Sequence, residues 1–424
     1  MRLLVVSSWF PYPPDNGSKM RAYHLLGELS KRHDITLLSF AEPGEEKNAG
    51  RLGGICRSVR SVPGNPNKAG GALGWRGLFS PLPRSYQETY TPEMQAQVNN
   101  ALTSHDAAIA LQIGSALYLA HASGILRIFD EAEASVFYEQ FKTQRHPLKR
   151  LRYGLTWWKF ARFMRRLVDR FDATTVVSGN ERALFARMGC DAERIQVVSN
   201  GVDAGDLRVN GAPTPAALIY PGALTYSANY DAVRHFLSDI FPQVRQARPD
   251  ATFAVTGSTD GVALDALPRR DGVTFTGYLP DVKPVVADSD VCVVPLRVGG
   301  GTRLKIIQSL ALGTPVVSTA KGAQGLDVTP ERDILIADAP RAFAEQVVRV
   351  VNDRGLRARL SANGKELVAR RYTWDRIAQQ LDALLARATP SGTTAKSLDM
   401  KQRNSAPTRP HDRDAFLGNG RGSE

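Results

Sequence analysis

Cysteine is scarce in this sequence. The chain has 424 residues but only three cysteines, Cys56, Cys190 and Cys292. They are far apart, and no CxxC motif or Cys/His cluster accompanies them, which argues against a zinc site. We therefore predict a protein that works in a reducing, cytoplasmic setting.

Long hydrophobic runs are also missing. No window of the sequence approaches the ~20 consecutive apolar residues that a membrane-spanning helix needs. The opening MRLLVVSSWFPYPP contains one arginine and a short apolar run broken by prolines, which is too short for the hydrophobic region of a signal peptide. We expect this opening to form a first strand and the chain not to cross a membrane.

Acidic residues are outnumbered by basic ones. The 54 Lys and Arg against 42 Asp and Glu give a formal net charge of +12 and a pI near 9.7. This excess favours an anionic partner, which leaves nucleotide phosphates, nucleic acid and an anionic lipid surface open. A 43% hydrophobic and 23% charged composition is typical of a soluble globular protein, and the length allows two domains plus a tail.

Strands and helices alternate along the chain. The first strand, helix and strand form a βαβ unit, which predicts a parallel sheet. The alternation runs to Asn200–Asp203 and restarts after a predicted linker at Ala204–Pro215. Gly, Pro and Asn between Pro43 and Leu82 leave the strands there open, and the polar, basic residues 389–424 predict a disordered tail. Strands are predicted at Leu3–Ser7, Ile35–Phe40, Ala107–Leu111, Ile125–Phe129, Thr174–Val177, Ile195–Val198, Ala217–Tyr220, Thr252–Thr256, Val273–Thr276, Val291–Val294 and Pro315–Ser318, and helices at Lys19–Arg32, Tyr230–Val244, Lys283–Ala287, Arg303–Leu312 and Arg341–Asp353.

A glycine-rich loop precedes one of these helices. The segment GGGTRLKIIQSLALGTPVVST begins at Gly299. A helix start presents free amides and the positive end of the helix dipole, which makes it a ready anion site. Gly299, Gly300 and Gly301 would let the backbone approach a diphosphate, and Arg303 with Lys305 would add positive charge. A plain structural turn remains the alternative for this loop alone.

Several motifs, in order, resemble one family. The glycine segment resembles the donor-nucleotide segment of the retaining GT-B glycosyltransferases of family 4, in the subgroup with the pattern GGGTRxKxxEAxAxGxPVVST. FPYPPDNGSKMRAYHLL resembles the glycine loop of the first domain, VVSNGVD the crossover between domains, and YPGALTYSANYDAV the opening of the nucleotide-binding domain. VTFTGYLPDVKPVVADSDVCVVPL resembles the base-binding stretch, and RRYTWDRIAQQL the closing helix.

The resemblance covers about residues 1–385 and implies a fold. It implies an α/β protein of GT-B type, with two Rossmann-like parallel-sheet domains facing across a cleft. Residues 1–205 would form the N-terminal, acceptor-side domain and residues 206–370 the nucleotide-sugar-binding domain. Residues 371–388 would form a closing helix that packs back on the N-terminal domain.

The resemblance also implies roles for matching residues. Gly17 corresponds to the family glycine whose amide lies close to the donor phosphate and the acceptor, although it could be a simple turn residue before a helix. Gly277 and Tyr278 would lie near the nucleotide base. A retaining transferase must stabilise a leaving nucleoside diphosphate, so positive charge and backbone donors near the diphosphate are the main catalytic need.

The sequence departs from the family at the diphosphate. Where many members carry Arg and Lys in a GRLxxxKG segment, this chain has Ala223 and Ala228. Arg303 and Lys305 are then the nearest sources of positive charge, unless they are merely solvated helix charges. Because the loop amides and these two cations can neutralise the diphosphate, and no DxD-like pair is placed at the cleft, we expect no metal requirement and no other cofactor.

A second departure concerns the paired glutamates of the family. They fall on Gly300 and Gln308, and the second normally accepts hydrogen bonds from the ribose hydroxyls. Gln308 keeps an acceptor oxygen of similar reach but loses the charge, and a neutral hydrogen bond is worth about half a charge-assisted one. We expect donor binding to be weaker by about 1 to 2 kcal/mol.

A third departure lies in FDEAEAS, which begins at Phe129. Ala132 occupies the place of a histidine that many members have near the donor sugar. Asp130, Glu131 and Glu133 are possible substitutes for contacting sugar hydroxyls, with Glu131 preferred, or else carboxylates that complement a helix dipole. The full set implied as catalytic is Gly17, Glu131, Arg303 and Lys305, and that implied as substrate-binding is Asn16, Asp130, Gly222, Gly277, Tyr278, Gly299, Gly300, Gly301, Thr302 and Gln308.

A strongly basic segment with interleaved aromatics spans Phe141–Phe171. Helical spacing places Trp157, Phe160, Met164, Leu167 and Phe171 along one stripe, with arginines flanking it. The segment would press on anionic lipid headgroups, so that a lipid-linked acceptor reaches the cleft, or would simply pack on its own sheet. Nucleic-acid binding is disfavoured because no recognised fold motif accompanies the patch.

Three functions follow from the sequence. The first is a glycosyltransferase that moves a sugar from a nucleotide donor to a glycan or lipid-linked acceptor with retention, in cell-surface or exopolysaccharide synthesis. It would be cytoplasmic or peripheral on the inner face of the cell membrane. The alternatives are a non-catalytic sugar-nucleotide or glycan-binding partner subunit and a GT-B sugar-nucleotide epimerase. Hydrolysis of a donor would favour the transferase, and conversion of a donor into its epimer without acceptor would favour the epimerase. Nucleotide binding without turnover would favour the partner subunit.

Overall fold

The computed structural model describes residues 1–64, 90–130, 132–203, 214–299 and 303–388. The predicted tail and most of the predicted linker lie outside these ranges. Four predicted site residues, Glu131, Gly300, Gly301 and Thr302, also lie outside them.

The first domain is built on a parallel sheet. Its order in the described chain is β3-β2-β1-β4-β5-β6-β7, and each neighbouring pair is parallel. Apolar residues fill both faces of the central strands, as a parallel sheet covered by helices on both sides requires. The strands are β1 (Arg2–Ser7), β2 (Asp34–Ala41), β3 (Ser58–Pro63), β4 (Ala107–Leu111), β5 (Leu126–Asp130), β6 (Ala173–Val176) and β7 (Ile195–Val197).

The second domain repeats the design on a smaller parallel sheet. The described strands lie in the order β10-β9-β8-β11-β12-β13. In each sheet the chain first winds one way and then the other, so the order reverses between β1 and β4 and between β8 and β11. Ligands of open α/β sheets bind outside the carboxyl ends of the strands at such reversals. The strands are β8 (Thr214–Pro221), β9 (Thr252–Thr256), β10 (Val273–Gly277), β11 (Ser289–Val294), β12 (Val316–Ser318) and β13 (Leu335–Ile336).

Helices cover both sheets, and their apolar stripes complete the cores of the two domains. No helix in the described ranges combines the length and the apolar character needed to cross a bilayer. The helices are α1 (Gly17–Leu29), α2 (Ala49–Leu52), α3 (Pro92–Leu102), α4 (Gln112–Leu119), α5 (Ser135–Thr143), α6 (Pro147–Val168), α7 (Gly179–Arg187), α8 (Ser227–His235), α9 (Phe241–Ala247), α10 (Lys283–Ala287), α11 (Leu304–Leu312), α12 (Ala320–Ala323), α13 (Pro340–Asn352), α14 (Arg354–Arg371) and α15 (Trp374–Ala388), with short 3-10 turns at Glu45–Asn48 and Leu264–Ala266.

The structure confirms two parallel-sheet α/β domains and corrects some elements. The helix predicted at Tyr230–Val244 is three pieces, because a π turn at Phe236–Ile240 separates α8 from α9. Pro242, near the start of α9, supplies no amide to the preceding turn, which explains the break. The edge strand β3 lies in the segment that the sequence left open, and its half-exposed pattern explains the weak signal.

The chain joins the domains at two adjacent points. The Val202 amide donates to the Tyr372 carbonyl at 2.7 Å, and Val202 pairs with Thr373 in a parallel bridge. α15 then packs on the first sheet, where Trp374 and Leu381 are buried with the side chains of α1 and β1. Gly201 is required at this junction, since a Cβ there would lie 2.7 Å from the Trp374 ring.

Candidate functional site

Two loops meet where the second sheet reverses its order. One follows β8 and contains Gly222 and Ala223, and the other follows β11 and leads through Gly299 into α11. The N-terminal amides of α11 therefore point toward the space outside β8 and β11. This is the position at which a parallel sheet binds an anionic ligand.

Lys305, in the first turn of α11, places an ammonium group under the β8 loop. Its Nζ donates to Asn229 Oδ1 at 3.0 Å and lies 3.8 Å from the centroid of the Tyr220 ring. The Tyr220 hydroxyl donates to the same Asn229 oxygen at 2.7 Å, while Asn229 Nδ2 donates to the Ala223 carbonyl at 2.8 Å. Desolvation lowers the pKa of Lys305 to about 7. Lys305 is a partly buried amine held by an amide and an aromatic face rather than a fully solvated helix charge.

Gly222 is the residue that gives this cation access to the loop. A Cβ at this position would lie 2.7 Å from Lys305 Nζ and 3.0 Å from Asn229 Nδ2. Any other residue would therefore push the ammonium group and the Asn229 amide away. Lys305, which the sequence nominates as a replacement for the positive charge missing at Ala223 and Ala228, therefore lies directly below the loop.

Arg303 closes the other side of the loop. Its side chain is 6% exposed, and Nη2 donates to the Gly299 carbonyl at 2.8 Å. Gly299 has φ +101°, and a Cβ there would lie 3.1 Å from Ala228 and 3.3 Å from the Tyr226 hydroxyl, so only glycine fits this turn. Burial lowers the pKa of Arg303, and Glu133 and Glu139 oppose that shift by favouring the charged form. Arg303 directly precedes α11, which begins at Leu304.

Gly17 lies across the cleft from the same helix start. It is the first residue of α1, and a Cβ on Gly17 would lie 3.7 Å from Leu304 Cδ1. The Asn16 side chain caps α1 by accepting from the Lys19 amide at 3.0 Å. Asn16 therefore shapes the helix start through this hydrogen bond. The N-termini of α1 and α11 face each other, which concentrates positive potential in the cleft.

Asp130 lies in the interior rather than in the cleft. It is fully buried, and its two oxygens accept from Arg21 Nε at 2.8 Å and Nη2 at 2.7 Å. The Thr175 hydroxyl donates to the same carboxylate at 2.6 Å. Arg21 in turn donates to the Ser199 carbonyl at 2.8 Å and to Asn200 Oδ1 at 2.9 Å. Asp130 therefore anchors α1 and the interdomain crossover, and because it is fully buried a sugar hydroxyl does not reach its oxygens.

The other predicted residues occupy separate places. Ala132 is fully buried, and Glu133 lies near Arg303. Gln308 lies one turn after Lys305 on α11 and is partly exposed. Tyr278 follows Gly277 at the end of β10 and is 70% exposed, which suits a side chain that covers a planar ligand.

Sequence reasoning missed Asn229 and Tyr220, the partners of Lys305. Asn229 stands in the first turn of α8 and Tyr220 in a buried strand. Both lie within the segment YPGALTYSANYDAV, but nothing in that pattern marks either of them as the partner of a lysine. The only available signal was that Ala223 and Ala228 stand where many family members have Arg and Lys. This implied that a cation from elsewhere in the chain lies near the loop and is held there by other groups.

The basic helix α6 has two different apolar stripes. Phe160, Met164 and Leu167 are buried against the first sheet, as packing on its own domain predicts. A second stripe, near the N-terminus of the helix, faces solvent beside exposed basic residues. Its members and their exposed fractions are Leu148 73%, Leu151 74%, Leu155 41% and Trp158 59%.

Two family models match consecutive parts of the chain. Residues 15–206 match Glycosyltransferase Family 4, and residues 215–353 match Glycosyl transferases group 1. The two matches meet at the interdomain linker, so each model covers one of the two domains.

Curated relatives match parts of the chain. A GDP-mannose-dependent alpha-(1-6)-phosphatidylinositol monomannoside mannosyltransferase of Mycobacterium tuberculosis is 26% identical over 51% of this chain and 62% of its own length. The lipopolysaccharide core biosynthesis glycosyltransferase LpsE of Rhizobium meliloti is 34% identical over 27% of this chain and 34% of its length. The putative glycosyltransferase YtcC of Bacillus subtilis is 26% identical over 35% and 41%. These matches span less than two thirds of each relative.

Solved structures match nearly the whole chain. Anabaena HepE in complex with UDP and glucose gives a TM-score of 0.64 at 17% identity, covering 91% of this chain and 100% of that one. A sucrose-phosphate synthase of Thermosynechococcus elongatus gives 0.63 at 17% identity, covering 91% and 99%. At these identities the likeness establishes the two-domain fold.

Proposed function

We propose that this chain, whose two domains match glycosyltransferase family models, is a GT-B glycosyltransferase that transfers a sugar from a nucleotide-sugar donor to a glycan or lipid-linked acceptor, with retention at the anomeric carbon. The observation that carries this proposal is the convergence of Gly222, the Lys305 ammonium group and the start of α11 outside β8 and β11. A nucleoside diphosphate fits this place because its charge meets backbone amides and a partly buried cation.

The same geometry suits the departure of a diphosphate. In transfer, the bond between the sugar C1 and the phosphate oxygen breaks, and a bond between C1 and the acceptor oxygen forms. The acceptor proton leaves with the departing phosphate. Lys305, Arg303 and the amides of α1 and α11 stabilise the negative charge that develops on the leaving group. We expect these groups to be sufficient without a bound metal ion.

The acceptor class proposed here is based on the names of two curated relatives. One is a phosphatidylinositol monomannoside mannosyltransferase and another a lipopolysaccharide core glycosyltransferase. Both names describe transfer to a glycan that is attached to a lipid. For this chain we propose a cell-surface glycan or lipid-linked acceptor and work at the inner face of the membrane.

Calorimetric titration with UDP, GDP, ADP and dTDP, in buffer containing EDTA, tests the donor site. We expect one of these nucleotides to bind with a Kd below about 100 µM, since a diphosphate that meets a partly buried cation and helix amides gains several charge-assisted hydrogen bonds. Slow release of the sugar from the matching donor should follow, with NMR reporting the anomer formed. Absence of binding by every nucleotide would refute the enzyme, while binding without hydrolysis or transfer would favour the non-catalytic partner subunit.

Gln308→Glu is expected to tighten nucleotide binding by about 5- to 30-fold, which corresponds to 1 to 2 kcal/mol. The reason is that a carboxylate makes a charge-assisted hydrogen bond to a ribose hydroxyl where the amide makes a neutral one. Titration of both forms with the preferred nucleotide measures the change. Gln308→Ala is the matched control and should bind more weakly than the parent. Equal affinity of all three forms would place Gln308 away from the ribose.

The exposed stripe of α6 supports a peripheral membrane association. A double substitution, Leu151→Glu with Trp158→Glu, is expected to lower binding to vesicles that contain anionic lipid by more than about tenfold, because it removes apolar insertion and adds charge repulsion. Co-sedimentation at low salt measures the bound fraction, which should fall as salt is added.

Val197→Glu provides the control for this prediction. Val197 is 37% exposed and lies on the edge strand β7 of the same domain, away from the stripe. Its substitution should leave vesicle binding unchanged. Equal loss in both proteins, or no binding by the parent at low salt, would contradict the association.

A further inference from the structure

A cavity of about 220 Å³ lies between the two domains, beside the donor loop. α5 and α7 form its first-domain side, and Arg303 with the start of α12 forms the other side. The domains approach closely here, since a Cβ on Gly325 would lie 3.0 Å from Ser178. A substrate group in this cavity would therefore contact both domains at once.

Cationic side chains from both domains line the cavity. Lys142 and Arg187 come from α5 and α7, and Arg303 and Lys321 come from the second domain. Arg303 belongs to the donor loop through its hydrogen bond to Gly299. The cavity thus begins where the donor diphosphate would end.

The carboxylates of the cavity already have partners. Glu139 pairs with Lys321 at 3.3 Å across the domain interface. Glu181 accepts from the amides of Ala134 at 3.0 Å and Ser135 at 3.2 Å, so it caps the start of α5. Neither carboxylate is within ion-pair distance of the two first-domain cations.

Lys142 and Arg187 consequently give the cavity an excess of positive charge. No carboxylate in the described parts of the chain forms an ion pair with either side chain. Arg187 offers a planar fork of donors and Lys142 a compact ammonium group, a combination suited to phosphate oxygens. Ser135, Ser178 and Asn180 add neutral polar groups to the same wall.

We propose that this cavity binds a phosphate group carried by the acceptor substrate, held by Lys142 and Arg187 and placed next to the donor loop by Arg303. The inference rests on the proposed transferase function, because the acceptor must approach the donor from the first-domain side of the cleft. It narrows the acceptor to a lipid phosphate. A free phosphate ion and the carboxylate of a uronic acid share the anionic chemistry and are separated by the experiment.

The experiment is calorimetric titration of the full chain with farnesyl phosphate, inorganic phosphate and glucuronic acid, each with and without the preferred nucleoside diphosphate. We expect farnesyl phosphate to bind at least about tenfold more tightly than inorganic phosphate or glucuronic acid. Arg187→Glu should weaken farnesyl phosphate binding by at least about tenfold, because charge reversal at a phosphate contact removes two charge-assisted hydrogen bonds. Lys142→Glu is a second variant with the same expectation.

Arg182→Glu is the matched control, since Arg182 stands on the same helix and does not line the cavity. It should leave farnesyl phosphate binding unchanged. Unchanged binding by both cavity variants, preference for glucuronic acid, or equal binding of inorganic phosphate would overturn the proposal. The nucleotide titrations separate the two hypotheses: a protein that binds farnesyl phosphate but none of the nucleotides would refute the donor site and leave the cavity assignment standing.

Discussion

Lys305→Met is expected to weaken nucleoside diphosphate binding by about 100-fold and, at or below pH 7, to raise the melting temperature by several degrees. The loss of affinity follows because Lys305 is the cation beneath the β8 loop, and the neighbouring positions Ala223 and Ala228 provide none. The gain in stability follows because methionine fills a similar volume without burying a charge. Calorimetry with the nucleotide and a thermal melt measure the two effects.

The predicted gain in stability of Lys305→Met depends on pH in a definite direction. The pKa of Lys305 is lowered from 10.5 to about 7, so between these values the unfolded chain holds a proton that the folded chain has released. Stability of the parent therefore rises with pH from about 7 toward 10, and the cost of burying the charge is fully present below pH 7. The advantage of Lys305→Met should be on the order of 2 to 4 kcal/mol below pH 7 and should shrink as the pH rises.

Lys321→Met is the comparison for Lys305→Met. Lys321 is a partly exposed lysine that pairs with Glu139, so its removal should change stability by less than about 1 kcal/mol. A Lys305→Met protein that melts below the parent would show that this lysine stabilises the fold. Unchanged nucleotide affinity would remove Lys305 from the donor site.

Arg21→Met is expected to destabilise the protein by about 3 to 5 kcal/mol. The substitution leaves the fully buried Asp130 carboxylate with only the Thr175 hydroxyl as a described side-chain partner. It also removes the donors to Ser199 and Asn200, which hold the crossover between domains. Denaturant unfolding of the parent and the variant measures the difference.

Two further proteins test this interpretation of Arg21. Arg2→Met breaks an ion pair with Asp106 in the same domain, but both side chains are substantially exposed, so the expected loss of stability is much smaller than for Arg21→Met. Arg21→Met combined with Asp130→Asn removes the unpaired charge and should recover part of the stability. A single Arg21 variant that is as stable as the Arg2 variant would contradict a structural role for the pair.

Much of the fold could be predicted from local patterns. Strands such as Ala107–Leu111 and Thr252–Thr256 are apolar runs bounded by polar or turn residues, and their bounds agree with the structure. Alternation of these runs with helices fixed the parallel arrangement. The helix with a π turn was harder, because an apolar period continues through Phe236–Ile240 while the hydrogen-bonding pattern changes.

The candidate site was less accessible to sequence reasoning. Glycine patterns located Gly222, Gly299 and Gly17, because a turn in which the backbone approaches another group closely requires a residue without a side chain, and this requirement is visible in the local sequence. Pairings between distant residues were not visible: Arg21 and Asp130 meet only because α1 packs against the carboxyl end of β5. The sequence assigned Asp130 to a sugar because a carboxylate at a strand end can either contact a ligand or form a buried ion pair. Only its burial beside Arg21 distinguishes the two roles.

The position of α15 affects how the protein folds during its synthesis. The first domain buries Trp374, Ile377 and Leu381 in its own core, although these residues follow the entire second domain in the chain. During synthesis, a nascent first domain thus keeps an apolar surface uncovered until the ribosome has made the second domain and the last described helix. The two domains therefore mature together, and a chain truncated before α15 would expose the face of α1 and β1 to aggregation.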